Sequence, residues 1–201
     1  MQSIVPMKTF LVVRRRARHS GFSLIEVLIA IVVLSFGLLG MVGLQAASLQ
    51  ANRDARLQSA AIVLAREFAE MMRGNKDVAL LGTGNPYIGN FSSPLVPSTP
   101  NYCLAVGSTC ATAAATAQAQ LTEWLARVDA ELPGARVSIC HDSAPYGATG
   151  LPTWACTSGA TTDVVVVKIG WTRASTRRGD TALDQAGAPS VVLPVTAGST
   201  L

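Results

Sequence analysis

Gly21-Phe22-Ser23-Leu24-Ile25-Glu26-Val27-Leu28-Ile29-Ala30 decides how the rest of the chain is read. Just before it stand Arg14, Arg15, Arg16 and Arg18. From Phe22 to Leu44 the chain is predominantly apolar and carries one charge, Glu26. At 1.5 Å per residue that run makes a helix of about 35 Å, enough to cross a bilayer core. It is too long for the apolar core of a secretory signal peptide, which spans about 7–15 residues. A carboxylate inside such a segment costs insertion energy, so its presence marks a function.

Charge and composition read differently once this run is set apart. The chain has 201 residues, room for one domain with appendages. Its 49% hydrophobic content is inflated by the apolar run. The net charge of +4 is a property of the leader, residues 1–21, which holds Lys8 and the four arginines and no acid. The remainder holds 11 basic and 12 acidic residues, a net charge of −1, so the basic balance does not point to nucleic acid. By the positive-inside rule the arginine cluster stays in the cytoplasm and everything after Leu44 lies outside. Met7 serves as well as Met1 for a start. The four cysteines, Cys103, Cys110, Cys140 and Cys156, all fall on the outer side, where an even count reads as two disulfides. Three pairings are possible; Cys103–Cys110 with Cys140–Cys156 is favoured because each closes a short local loop. With no C-x-x-C pair and only His141 nearby, no metal and no cofactor are expected.

The chain divides into a leader (1–21), a membrane or filament-core helix (22–44), an amphipathic continuation (45–73) and a loop, short-helix and β region (74–201). No proline occurs from Phe22 to Arg73. Leu57, Ala61, Leu64, Phe68 and Met71 or Met72 recur at helical spacing as one apolar stripe, and Gly74-Asn75 stops the helix. The first half of that helix is apolar all round and the second half amphipathic, which predicts two environments for one element. Gly37, Gly40 and Gly43 interrupt it, both as small-residue packing positions and as a weak point. Residues 74–118 carry mainly turn signals, with an alanine- and threonine-rich tract at 109–119. A second helix is predicted from Ala119, with Leu121, Trp124, Leu125, Val128 and Leu132 apolar and Pro133-Gly134 as its stop. Strands are predicted at Arg136–His141, Pro152–Thr157, Asp163–Trp171 and Ser190–Val195, with Arg173–Gly187 an exposed loop or hairpin. The fold class is α+β: a long N-terminal helix whose amphipathic half packs on a C-terminal antiparallel sheet.

The segment around Gly21-Phe22-Ser23-Leu24-Ile25-Glu26 resembles the class III signal of type IV pilins and type II secretion pseudopilins. Charge, glycine, phenylalanine and glutamate fall in register over roughly residues 20–45. Gly37-Leu38-Leu39-Gly40-Met41-Val42-Gly43-Leu44-Gln45, with Arg66-Glu67-Phe68-Ala69-Glu70-Met71-Met72-Arg73-Gly74-Asn75, is similar to the PilV-like minor pilins. The resemblance implies that a prepilin peptidase cuts between Gly21 and Phe22 and methylates the new amine of Phe22. It implies that Glu26 pairs with that amine in a neighbouring subunit and fixes the register of assembly. It further implies a bacterial inner-membrane protein, single-pass, with its C-terminal part in the periplasm until it enters a filament at the cell surface. Partners would be other major and minor pilins, the peptidase, the inner-membrane assembly platform and, before assembly, membrane lipid. Two departures from major pilins point to a minor subunit: Gly43 stands where a proline is frequent, and no cysteine follows Cys156. The retained Glu26 argues against the one pseudopilin type that lacks this residue and caps the tip.

The expected function is therefore a structural and assembly subunit, a minor pilin that primes or joins a pilus. The alternative is a pseudopilin of a type II secretion system. A further alternative is a tip adhesin or DNA-binding module, but Arg173, Arg177 and Arg178 form a small cluster of the kind usual in solvated loops. An enzyme is not expected. His141, Asp142 and Ser143 are consecutive, whereas catalytic triads are assembled in space, and no nucleophile elbow or P-loop occurs.

Overall fold

The long N-terminal run becomes helix because nothing in it opposes one. In the computed structural model, which describes residues 21–157, 164–174, 183–184 and 186–198, α1 spans Leu24–Gly74. The Ser23 carbonyl accepts from the backbone N–H of Glu26 at 3.0 Å and of Val27 at 3.3 Å, opening the first turn. The helix ends at the glycine that the sequence marks as its stop, where Asn75 N–H closes onto the Met71 and Met72 carbonyls. The chain divides after Ser48 into two units. In the first, every described residue is exposed, including the apolar positions from Leu24 to Leu44.

In the second unit the remainder of α1 buries one stripe: Ala61, Leu64, Ala65, Phe68, Ala69 and Met72. Leu57 and Met71 lie half-buried at its margin. The partner elements are α2 (Lys76–Ala79), α3 (Ala113–Glu131) and an antiparallel sheet. The sheet holds β1 (Gly89–Ser92), β2 (Arg136–His141), β3 (Val165–Gly170) and β6 (Val191–Val195), hydrogen-bonded in the order β1-β2-β3-β6. A separate two-stranded ribbon joins β4 (Arg173–Ala174) to β5 (Leu183–Asp184). Strands alternate their side chains between faces. Val137 and Ile139 of β2, and Val165, Val167 and Ile169 of β3, therefore enter the same core as α1 and α3. Phe68 is the centre of an aromatic cluster: its ring lies 4.8 Å from that of Trp124 and 5.9 Å, edge-on, from that of Tyr87. Both polar handles of the cluster find partners, Trp124 Nε1 donating to the Leu64 carbonyl at 2.9 Å and the Tyr87 hydroxyl to Gln120 Oε1 at 2.6 Å.

The opposite face of the sheet is also covered. Ser138 and Cys140 of β2, and Val166 and Lys168 of β3, are buried there under residues 142–157, which lie across the sheet as a flap. Trp154 rests on Gly170; a Cβ at that glycine would sit 2.8 Å from the indole ring. Trp154 Nε1 donates to the Ala186 carbonyl at 2.9 Å, and Arg136 stacks its guanidinium 4.4 Å from the Trp154 ring. Burial on both faces explains why β3 reads as an apolar run rather than an alternation. At the other edge, β6 carries Pro194 opposite Val166, a residue tolerated on an edge strand because it has no N–H to donate.

Three expectations are corrected. Residues Pro152–Thr157 are not a strand: Pro152 makes one isolated bridge to Tyr146, and the segment is drawn over the sheet by Trp154 and by the Cys140–Cys156 bond. The second helix begins at Ala113, not Ala119, because Thr112 caps it by accepting from Ala115 N–H at 3.1 Å; alanine then carries the first turns. The turn-rich stretch after Gly74 also contains α2 and β1.

Because Phe68 is fully buried at the junction of α1, α3 and the Tyr87 loop, Phe68→Ala removes the ring on which both other aromatics pack. The expected loss is about 3–5 kcal/mol of unfolding free energy, read from urea denaturation of the full chain in detergent micelles by tryptophan fluorescence.

Candidate functional site

The residues singled out at the N-terminus lie at and just before the start of α1. Gly21, Phe22 and Ser23 precede the helix, and Glu26 occupies its first turn. A carboxylate there faces the positive end of the helix dipole, which favours it electrostatically. Phe22 and Glu26 are both exposed in the single chain. Packing among the described residues gives Gly21 no reason to be glycine, since a Cβ built on it meets nothing within 4 Å. The same openness holds at Gly37, Gly40 and Gly43. By helical period Glu26, Ala30, Val33, Gly37 and Gly40 share one face. Ser35 has its hydroxyl satisfied within the helix, donating to the Ile31 carbonyl at 2.7 Å. The stem thus offers a bare apolar surface with one acid at its head and small residues along the acid's face. Arg14, Arg15, Arg16, Arg18, Lys8, Met1 and Met7 lie outside the described residues, as do Arg177 and Arg178. Arg173 stacks over Trp171 at 4.7 Å.

Residues 16–42 match the family model for the prokaryotic N-terminal methylation motif. The chain carries a type IV pilin-like N-terminus. The motif spans the glycine, the phenylalanine, the acid and most of the exposed apolar stem. It indicates a pilin- or pseudopilin-like protein, and the helix that bears it is long and apolar enough to cross a membrane. No curated protein and no solved structure matches the chain. Together with the antiparallel sheet packed on the second half of α1, the motif makes the fold pilin-like α+β.

The cysteines form two disulfides, Cys103–Cys110 with Cα atoms 5.0 Å apart and Cys140–Cys156 at 6.4 Å. The first bridges two loop positions before α3, with Cys103 Sγ against the Ala115 carbonyl. The second ties β2 to the flap. Donor atoms of Cys140, Asp142 and Cys156 lie within 4.8 Å of one another. The two sulfurs are bonded together and the carboxylate is engaged by Lys168, so the trio is not a metal cradle in this oxidation state.

A buried ion pair is the feature that the sequence reading passed over. Lys168 stands in the valine and isoleucine run of β3, wholly buried, with its Nζ 2.5 Å from Asp142 Oδ2 and donating to the Ala155 carbonyl at 2.6 Å. The other carboxylate oxygen of Asp142 accepts from Ala144 N–H at 2.9 Å, Thr157 N–H at 3.2 Å and the Thr157 hydroxyl at 3.1 Å. Ser143 turns away, its hydroxyl donating to the Thr157 carbonyl at 3.2 Å. The signal was present: a lysine inside an apolar strand run requires a buried acid nearby.

Burial pushes the Asp142 carboxyl up, but the Lys168 ammonium and the three donors outweigh it and hold the group below the ordinary carboxylate range. A depressed folded-state pKa contributes stability that is fully present above the unfolded value, about 3.9. That contribution falls away as pH drops below about 4 and through the folded-state value. Asp142→Asn is therefore expected to cost about 3–5 kcal/mol at neutral pH by stranding the Lys168 charge. The variant should also lose stability less steeply than wild type on acidification. Denaturant midpoints measured from neutral pH down to about pH 3 check both.

Proposed function

We propose that the chain is a minor type IV pilin of the PilV-like kind, an assembly subunit that primes or joins a pilus. The observation that carries this reading is the methylation motif at residues 16–42, continuous with an apolar stem that its own chain leaves uncovered. In this reading residues 1–21 are a leader whose arginines keep it in the cytoplasm. Prepilin peptidase cuts between Gly21 and Phe22 and methylates the Phe22 amine. The remaining stem spans the inner membrane, with the sheet-bearing unit in the periplasm, until the assembly platform moves it into the filament. An α-amine is positively charged at neutral pH. Among packed apolar stems, Glu26 of one subunit and the Phe22 amine of the next would compensate each other's charge and hydrogen bonds. A displaced stem would leave both unpaired in an apolar bundle, so the pair sets axial register. The chemistry assigned to the chain is that of a structural subunit and peptidase substrate rather than of an enzyme.

Deletion of the gene separates this role from that of a secretion pseudopilin. Loss of surface pili with protein secretion intact supports the pilin; loss of secretion with pili intact overturns it in favour of the pseudopilus. Mass spectrometry of the protein recovered from cells should find a mature chain beginning at methylated Phe22. Gly21→Val should leave the fold unchanged, since a side chain there meets nothing, yet accumulate as unprocessed precursor. Glu26→Ala should be processed normally and be depleted from purified filaments. Its incorporation at wild-type level would remove the register role while leaving the processing site standing.

A further inference from the structure

The groups that satisfy the buried Lys168–Asp142 pair flank one half-cystine. Ala155, whose carbonyl takes the Lys168 ammonium, immediately precedes Cys156. Thr157, which gives two of the three hydrogen bonds to Asp142 Oδ1, immediately follows it. Cys156 is bonded to Cys140 on the outward face of β2, beside the Ser138 hydroxyl and one strand from Lys168. The disulfide therefore holds in place the stretch of flap that makes the pair tolerable in a dry site. Besides the disulfide, the flap is held to the sheet by Trp154, laid on Gly170 and donating to the Ala186 carbonyl at 2.9 Å. Its hairpin is closed by its own contacts, Gly147 N–H to the Leu151 carbonyl and Thr153 N–H to the Pro145 carbonyl, and carries Tyr146 and Leu151 exposed. Without the disulfide, Ala155 and Thr157 are kept on the sheet by hydrogen bonds to Lys168 and Asp142 rather than by a covalent tether.

We propose that the Cys140–Cys156 bond is a redox-operated latch. Oxidised, it keeps residues 142–157 shut over Lys168 and Asp142. Reduced, it releases the flap, and water solvates the two charges in place of Ala155 and Thr157. A dithiol supplies the step: it gives two electrons and two protons to the Cys140–Cys156 bond, which becomes two thiols, and is itself oxidised to a disulfide. The inner core remains, because Phe68, Trp124, Ile139 and Val167 belong to the cluster on the other face of the sheet. The Cys103–Cys110 bond has no part in this, since it rests against α3. The latch is a property of the sheet-bearing unit and stands or falls independently of filament assembly.

Lysine acylation reads the latch directly, because Lys76 and Lys168 are the two lysines beyond the leader and only Lys168 is fully buried. The full chain in detergent micelles, carrying Cys103→Ser and Cys110→Ser so that one disulfide remains, is treated with an N-hydroxysuccinimide acetate and analysed by peptide mass spectrometry. In the oxidised protein Lys76 should be acylated and Lys168 protected. After dithiothreitol, Lys168 acylation should rise at least about tenfold with Lys76 unchanged, while amide exchange in α3 stays slow. Lys168 remaining protected after reduction overturns the latch. So does simultaneous loss of protection at Lys168 and throughout α3, which would make the bond a staple of the whole unit. Should the double variant fail to fold, the wild-type chain reduced at both bonds is judged by the same two outcomes.

Discussion

The backbone of α1 satisfies its own hydrogen bonds from Leu24 to Gly74, and the remaining organisation depends on that self-sufficiency. A helix is one of the two backbone forms that can enter hydrocarbon without leaving N–H and C=O groups unpaired. The same property lets one element pass from a stretch whose described residues are all exposed to a stretch packed along one side. What changes along it is the side chains. The first part shows leucine, isoleucine and valine in every direction; the second buries its apolar residues along the stripe through Ala61, Leu64, Phe68 and Met72, with Leu49 and Val63 exposed. The small residues of that stripe matter as much as the large ones. Ala61, Ala65 and Ala69 are buried beside Phe68, whose ring meets that of Trp124 at a tilt of 47°.

The sheet is used on both faces by different means. Its inner face is closed by helices through apolar contact. Its outer face is closed by a flap held by a disulfide, a buried ion pair and an indole laid on a glycine. Apolar packing is forgiving, whereas a buried charge pair is strongly destabilising once either partner is removed. The outer layer is accordingly the more specific and the less adaptable of the two.

Legibility in the sequence follows the range of the interactions. Helix α1, its stop at Gly74 and strand β2 are set by local pattern, and the residues that form them could be read directly. The start of α3 was misplaced because the alanine and threonine tract has no apolar contrast; its helicity comes from propensity and from the Thr112 cap. Residues Pro152–Thr157 have β-like composition, but Trp154 and Cys156 are recruited by partners elsewhere in the chain, which no local window displays. Lys168 is a third case. One charge in a run of valines is a small perturbation of the pattern, and its consequence appears only when Asp142 is brought beside it across the sheet. The N-terminal segment is legible for another reason: Gly21 and Glu26 belong to a contiguous motif at residues 16–42, and their identities stand out because no packing within the described residues calls for them.

Pro194 has a bearing on crowding. An exposed sheet at high local concentration invites edge-to-edge polymerisation, since a bare strand margin is a template for another. A missing donor in β6 makes that margin a poor template. Wherever folded units of this kind are crowded, that margin resists knitting them into a continuous cross-strand aggregate.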